Sequence, residues 1–142
     1  MNLITKDNLD KFRDKFERLD GAVIVCVNYL PSVKLDESEI SLQLKAYDSS
    51  ISNSEPFSGE VLLKIAFKGN VEFRISEPGG GGNVVINDEV IASVANGKTY
   101  INFDPLHTKN ANGDLSAAEV HNSSFYVGGN EMFWGLMPQG VV

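Results

Sequence analysis

The sequence has one cysteine, no long apolar run and fewer basic than acidic residues, and each shortage excludes a class of protein. The lone Cys26 forms no intrachain disulfide and supplies too few thiolates for a cysteine-based zinc site. No stretch approaches the ~18 consecutive apolar residues of a membrane-spanning helix. With 12 basic and 19 acidic side chains, the net charge of −7 opposes binding to nucleic acid and to anionic membrane surfaces. We therefore expect no nucleic-acid partner and no membrane partner.

The remaining composition is that of one ordinary folded domain. The chain has 142 residues, of which 42% are hydrophobic and 22% are charged. This apolar fraction is sufficient for one core, so we expect a single domain over residues 1–142. The first residues lack the basic and apolar regions of a secretory signal, and together with the single cysteine this predicts a cytoplasmic protein.

An amphipathic helix is predicted over residues 5–19. Its apolar positions recur at helical spacing, and the residues between them are polar or charged. Thr5 is the expected N-cap, and Asp20-Gly21 is the expected end. The single apolar stripe indicates that one face of the helix packs on a sheet. This stripe consists of Leu9, Phe12, Phe16 and Leu19.

From residue 22 to residue 103, apolar residues largely alternate with polar ones, which predicts an antiparallel β-meander. Residues 22–30 are apolar in both alternating sets, so we expect this strand to be covered on both faces. Asn96-Gly97 predicts a type I′ hairpin turn, because this turn needs positive φ at both central residues. A two-residue loop there pairs Val94 with Thr99.

A second hairpin is predicted around Lys68-Gly69-Asn70, and its register places Lys64 opposite Arg74. Like charges directly across a ladder are unfavourable unless an anion or a carboxylate relieves them. Lys45 projects from the same polar face, so Lys45, Lys64 and Arg74 are candidate ligand-binding residues on an anion-accepting sheet face. The alternative is neutralisation within the chain by Glu60 and Glu72.

Together these patterns predict the α+β class, with the N-terminal helix packed on an antiparallel, curved sheet of five to seven strands. A β-sandwich or barrel with an appended helix is the alternative, because so much of the chain has strand patterning. Residues 104–124 are irregular and polar, as in functional or disordered loops. Residues 125–142 are apolar and rich in aromatic residues, and we expect them either to cover the second face of strand 22–30 or to form an interface.

Residues 108–119 resemble a calcium loop of the EF-hand kind. Such a loop has a glycine at its sixth position and a glutamate at its twelfth, and Gly113 and Glu119 fill these positions. Thr108 replaces the usual aspartate at the first position, and no amphipathic helix flanks the loop. The alternative is a turn followed by a short capped helix. The candidate calcium ligands are Asn110, Asn112, Asp114, Ser116 and Glu119.

Few residues suggest catalysis. His107 and His121 are close in sequence to carboxylates, but their separation matches no helical ligand spacing. Cys26 lies in an apolar run, where a thiol is expected to be a small buried hydrophobe.

We expect a non-enzymatic binding or assembly module that acts through the sheet and the aromatic C-terminal segment on a protein partner or a second copy of the chain. The alternatives are a small-molecule-binding cup, with or without enzymatic activity, and a calcium-stabilised domain; no other cofactor is expected.

Overall fold

A computed structural model of the protein describes residues 1–50, 59–75, 84–86, 90–103 and 125–138. Within these ranges one short α-helix, α1 (Leu9–Lys15), accompanies two antiparallel sheets. Sheet A contains β1 (Asn2–Ile4), β2 (Val23–Leu30), β3 (Glu39–Tyr47), β4 (Glu60–Lys68), β6 (Val84–Val85) and β10 (Glu131–Met137), in the spatial order β1-β10-β4-β3-β2-β6. Sheet B contains β5 (Glu72–Ile75), β7 (Ile91–Ala95), β8 (Lys98–Asn102) and β9 (Phe125–Gly129), in the order β5-β9-β8-β7.

The two sheets share one hydrophobic core. Sheet B contributes Ile101 and Val127 to it, and α1 covers it beside β10, where Trp134 packs against Phe12 and Phe16 at ring-centroid distances of 6.0 and 5.3 Å. The predicted α+β class, a helix on antiparallel sheet, is confirmed, and within the described ranges neither sheet closes into a barrel. Alternate residues of β3 and β4 are fully buried, as their pattern predicts, and these are Ile40, Leu42, Leu44, Leu63, Ile65 and Phe67.

The chain crosses from sheet A to sheet B at Gly69 and Asn70. β4 pairs with β3 and β10, whereas β5 pairs with β9, so the hairpin predicted across these residues is wrong. The two residues take positive φ values of 81° and 47°. Their backbone N–H groups donate to the carbonyl oxygens of Ser38 and Leu35, at 2.8 Å in each case. These hydrogen bonds hold the chain in a bend between two sheets rather than in a turn between neighbouring strands.

The N-terminal helix is shorter than the predicted span of residues 5–19. α1 ends at Lys15, and a 3₁₀ turn at Glu17–Leu19 follows, with positive φ at all three residues. Asn8 occupies the N-cap position instead of Thr5, and its Oδ1 accepts the Thr5 backbone N–H at 2.7 Å. Positive φ ends the α-helix, yet the turn keeps Leu19 fully buried, so tertiary packing overrides the continuous helical pattern. No described helix is long and apolar enough to cross a membrane.

The hairpin predicted at Asn96-Gly97 is confirmed. β7 and β8 pair with Val94 opposite Thr99, and the two turn residues have positive φ values of 53° and 75°. Asparagine and glycine tolerate this left-handed conformation better than other residues. Local chemistry was therefore sufficient to predict this register.

Strand β2 is covered over only part of its length. Ile24 is buried, but Val27, Tyr29 and Leu30 beyond a bulge at Val25 are 40%, 43% and 53% exposed. The expectation that both faces are covered is wrong for this half of the strand. Beyond Ile24, no described strand flanks β2 on the side away from β3, so the side chains of this half lie at the margin of the sheet, where less of the fold packs over them.

The C-terminal segment belongs to the sheets and is not a lid over β2. Residues 125–129 form β9, and residues 131–137 form β10 between β1 and β4. Met132 is fully buried, and Trp134 packs on α1. The expectation that this segment covers the second face of β2 is therefore wrong, because its strand-forming residues complete the two sheets.

Candidate functional site

β2 presents an open backbone edge. It pairs with β3 along most of its length, but β6 pairs only with Val23 and Ile24. Among the described residues, the stretch Cys26–Leu30 thus has a strand partner on one side only. Backbone N–H and C=O groups of an antiparallel strand point to both neighbours, so this stretch directs hydrogen-bonding groups away from β3. An added strand is the natural partner for such an edge.

The hydrophobic core reaches solvent beside this edge. Tyr29 in β2 and Phe73 in β5 pack with their ring centroids 4.8 Å apart, which joins sheet A to sheet B. Tyr29 is paired with Ile40 and Phe73 with Val127, and both of these partners are fully buried. Paired residues share a face of the sheet, so both rings lie on the inner face. They nevertheless remain 43% and 38% exposed, and the core is therefore open here.

Further exposed apolar side chains follow β2 in the chain. Leu35 lies beside the start of β5, because its carbonyl oxygen accepts the Asn70 N–H at 2.8 Å, and it is 71% exposed. Val33, just before it, is fully exposed. Monomeric proteins rarely leave contiguous apolar surface open to water unless it binds something. We call this surface the open seam. Its inner-face residues are Val27, Tyr29 and Phe73, Leu30 lies on the outer face of the same strand edge, and Val33 and Leu35 follow in the next loop.

The open seam has no charge along its main strand. No Asp, Glu, Lys or Arg occurs from residue 21 to residue 33. Edge strands are usually protected by lysine or another charged residue that blocks the approach of a further strand. The exposed half of β2 lacks this protection, and its central residue is the neutral Asn28. The edge is therefore suited to an extended, uncharged stretch of polypeptide.

Cys26 lies at this edge and is exposed, so the expectation that its thiol is buried is wrong. It is paired with Gln43 on the outer face of sheet A, opposite the core. The apolar run around it suggested burial, but only the inner face of this half of β2 is near the core. This position makes the thiol a useful probe for any molecule that approaches the edge.

The three cationic ligand candidates do not come together. Lys45 and Lys64 share the outer face of sheet A, where Lys64 is paired with Gln43 and with Gly135. Arg74 lies in sheet B, paired with Tyr126, and its guanidinium carbon is 5.9 Å from that ring centroid. The predicted pairing of Lys64 with Arg74 is therefore wrong, because β4 and β5 belong to different sheets. Anion binding at Lys45, Lys64 and Arg74 stays a prediction.

Glu72, one of the two predicted neutralising residues, binds two side chains of β8. Its Oε1 is 2.8 Å from the Lys98 ammonium nitrogen, and its Oε2 accepts the Tyr100 hydroxyl at 2.8 Å. Burial of Tyr100 raises the pKa of this phenol, and the hydrogen bond to Glu72 raises it further. The phenol therefore stays protonated and cross-links β8 to β5.

A partly buried ion pair anchors α1 to the end of β3. Lys15 Nζ lies 3.0 Å from Asp48 Oδ2, and the Asp48 side chain is 4% exposed. The Ser50 backbone N–H and hydroxyl donate to Asp48 Oδ1 at 2.9 and 2.6 Å. Burial raises the pKa of Asp48, but the hydrogen bonds from Ser50 and Lys15 outweigh burial and hold this pKa below its usual value. The cluster satisfies its own charges and explains helix placement rather than ligand binding.

The candidate calcium ligands Asn110, Asn112, Asp114, Ser116 and Glu119 lie outside the described residues, as do His107 and His121. Calcium binding at residues 108–119 therefore stays a prediction. In the part of the chain that the structure describes, no three His, Cys, Asp or Glu residues are grouped so that they could hold a metal ion.

No protein family model matches this chain, and no match was found to a curated protein or to a solved structure. The open seam is consequently interpreted from its own chemistry. Sequence reasoning missed it, although the uncharged stretch of residues 21–33 was a visible signal. That stretch was interpreted as a strand buried on both faces, and only the short reach of β6 shows otherwise.

Proposed function

We propose that this protein is a non-enzymatic binding module that holds an extended apolar segment of a polypeptide along β2. The observation that carries the proposal is the open seam, in which exposed core-facing aromatic rings adjoin an unprotected strand edge. A cytoplasmic location and a protein partner are part of this proposal.

Two sets of interactions would hold the segment. The backbone groups of Cys26–Leu30 that point away from β3 would form a new antiparallel or parallel ladder. Alternate side chains of the bound segment would enter the gap between the sheets and pack on Tyr29 and Phe73. Backbone hydrogen bonds are indifferent to sequence, so the apolar gap would supply the selectivity.

The chemistry of the seam favours binding over catalysis. Its six side chains are apolar except for the Tyr29 hydroxyl, and none is a carboxylate, an imidazole or an amine. General acid–base chemistry needs such groups within hydrogen-bonding reach of a substrate. The nearby Cys26 lies on the outer face of β2, away from the gap.

The proposal is tested with a displayed library of short random peptides, followed by titration calorimetry of the selected sequences. We expect apolar peptides rich in β-branched and aromatic residues. Hydrogen exchange of the bound protein should show new protection at the amides of residues 26–30, because these are the groups that a further strand would cover.

Two lysine substitutions provide a matched comparison. Tyr29→Lys places a charge in the seam and should weaken peptide binding about tenfold or more, because a bound strand would have to remove the lysine ammonium from water. Leu3→Lys adds the same charge to another exposed apolar position, on edge strand β1, and should leave affinity unchanged. Equal binding by wild type and Tyr29→Lys, with both variants folded, would refute the proposed site.

A further inference from the structure

We infer that the segment held at the open seam is β2 of a second copy of this chain, so that two copies pair edge to edge across a twofold axis. This inference rests on the proposed function and names its partner. It depends on two observations, the charge pattern of the strand and the length of its free edge, together with the symmetry of antiparallel pairing.

Charge restricts where a second copy can bind. Each copy carries a net charge of −7, so two copies repel one another over most of their surfaces. The stretch of residues 21–33 is uncharged, and it contains the part of the β2 edge that has no partner among the described strands. Two copies that meet along this stretch place no like charges across the new ladder, so their mutual repulsion opposes pairing least at this edge.

The free edge also restricts the register. β6 occupies β2 at Val23 and Ile24, and the bulge interrupts regular pairing at Val25. The regular free stretch is therefore Cys26–Leu30. In an antiparallel ladder, hydrogen-bonded and non-hydrogen-bonded residue pairs alternate. A twofold axis that relates the two strands passes through the centre of one such pair and exchanges its two residues. One residue must then face its own copy, and the middle residue of the free stretch is Asn28.

This register makes the two edges complementary. Val27 lies opposite the partner's Tyr29 on the inner face, and an aromatic residue beside a β-branched one is a favourable cross-strand pair. Cys26 lies opposite the partner's Leu30 on the outer face. Asn28 faces the partner's Asn28, and a carboxamide both donates and accepts hydrogen bonds, so it can pair with a copy of itself.

Five residue pairs are a small interface by themselves, because stable complexes bury about 1,200–2,000 Å² in total. The remainder of the open seam supplies further area. Val33 and Leu35 are among the most exposed apolar side chains of the described residues, and Phe73 lines the gap that the partner strand faces. Burial of these side chains from both copies extends the strand pair into a continuous apolar interface.

Single-cysteine cross-linking tests the register. In a Cys26→Ser background, Asn28→Cys places two thiols on directly opposite residues, about 4.5–5.5 Å apart between Cα atoms. A bifunctional thiol reagent of short span should then link two chains. In the wild-type chain the two Cys26 residues are offset by four positions, about 14 Å at 3.4 Å per residue. The same reagent should leave wild type unlinked, and linking of both proteins or of neither would overturn the register.

Sedimentation velocity over a range of concentrations tests the assembly without relying on the cysteine variant. Wild type should be a dimer that dissociates on dilution. Asn28→Lys places two positive charges opposite one another and should weaken the dimer about fivefold or more. Leu3→Lys on β1 adds the same charge elsewhere and should leave the dimer intact.

The outcomes separate this inference from the function on which it rests. A wild-type protein that stays monomeric at every concentration, or a dimer insensitive to Asn28→Lys, overturns self-pairing. If that protein still binds selected peptides and loses them with Tyr29→Lys, the binding function stands with another polypeptide as partner. If neither a dimer nor a peptide complex forms, both proposals fail.

Discussion

Gly128 is a position where one added methyl group should greatly reduce stability. It lies in β9, paired with Glu72 of β5 on one side and Tyr100 of β8 on the other. The Tyr100 ring lies across this glycine, so a Cβ at residue 128 would overlap Tyr100 Cδ1 and stand 2.5 Å from Cε1. Real Cβ atoms do not approach other atoms so closely, and Gly128→Ala must displace the ring.

The ring has little freedom to move. Tyr100 is 2% exposed, and its hydroxyl donates to Glu72 Oε2 at 2.8 Å. Overpacking a well-packed site costs about 1–3 kcal/mol. A buried hydroxyl that loses its partner costs about 1–3 kcal/mol more. We therefore expect Gly128→Ala to lower the free energy of unfolding by about 2–6 kcal/mol.

Urea denaturation followed by far-ultraviolet circular dichroism measures this loss. Gly135→Ala in β10 is the matched control, because its Cβ would meet only Met1 Cγ, at an ordinary 3.4 Å. The control should change stability by less than about 0.5 kcal/mol. A Gly128→Ala protein as stable as the control would refute the argument. So would a loss that persists undiminished in a Tyr100→Ala background, where the obstructing ring is gone.

Three further predictions concern stability. Asp48→Asn should lower the free energy of unfolding by about 1–3 kcal/mol at neutral pH, because it removes the charge that Lys15 and Ser50 stabilise. Because the pKa of Asp48 is lower in the folded state, its ionised carboxylate stabilises the fold at pH values above the unfolded pKa of 3.8, and this stabilisation is lost as the pH falls through the folded pKa. The unfolding free energies of wild type and variant, measured in urea at decreasing pH, should therefore converge, and a constant difference between them would contradict this account. Trp134→Ala should cost about 2–4 kcal/mol through lost packing on α1 while leaving the assembly state unchanged, and a shift in sedimentation without a loss of stability would contradict it. Gly97→Ala forces a side chain into a φ of 75° and should cost about 1–2 kcal/mol in thermal or urea unfolding, whereas a neutral result would contradict the hairpin argument.

Features that depend on neighbouring residues were predictable from sequence. The Asn96-Gly97 turn sets its own register, because positive φ at both residues allows only a tight hairpin. The alternation in β3 and β4 identified which side chains face the core, since a strand has a period of two whatever its partners are. The α+β class followed from the same patterns.

Features that depend on distant residues were not predictable in this way. Lys68-Gly69-Asn70 has the composition of a hairpin loop, yet hydrogen bonds to Leu35 and Ser38 turn it into a crossing between sheets. This crossing places Arg74 and Lys64 in different sheets, so the predicted pairing of these two cations does not form. Loop composition describes how sharply a chain bends, but it does not specify which strand lies beside the next one.

The open seam combines both kinds of information. The sequence shows that residues 21–33 are uncharged, and it predicts a strand within them, which the structure places at Val23–Leu30. The exposure of half of this strand depends on the tertiary fold, because among the described residues β6 flanks only Val23 and Ile24, and Tyr29 meets Phe73 at the margin of the two sheets. Whether a side chain is buried depends on which elements pack against it, and that depends on strand pairing between residues that are far apart in the sequence.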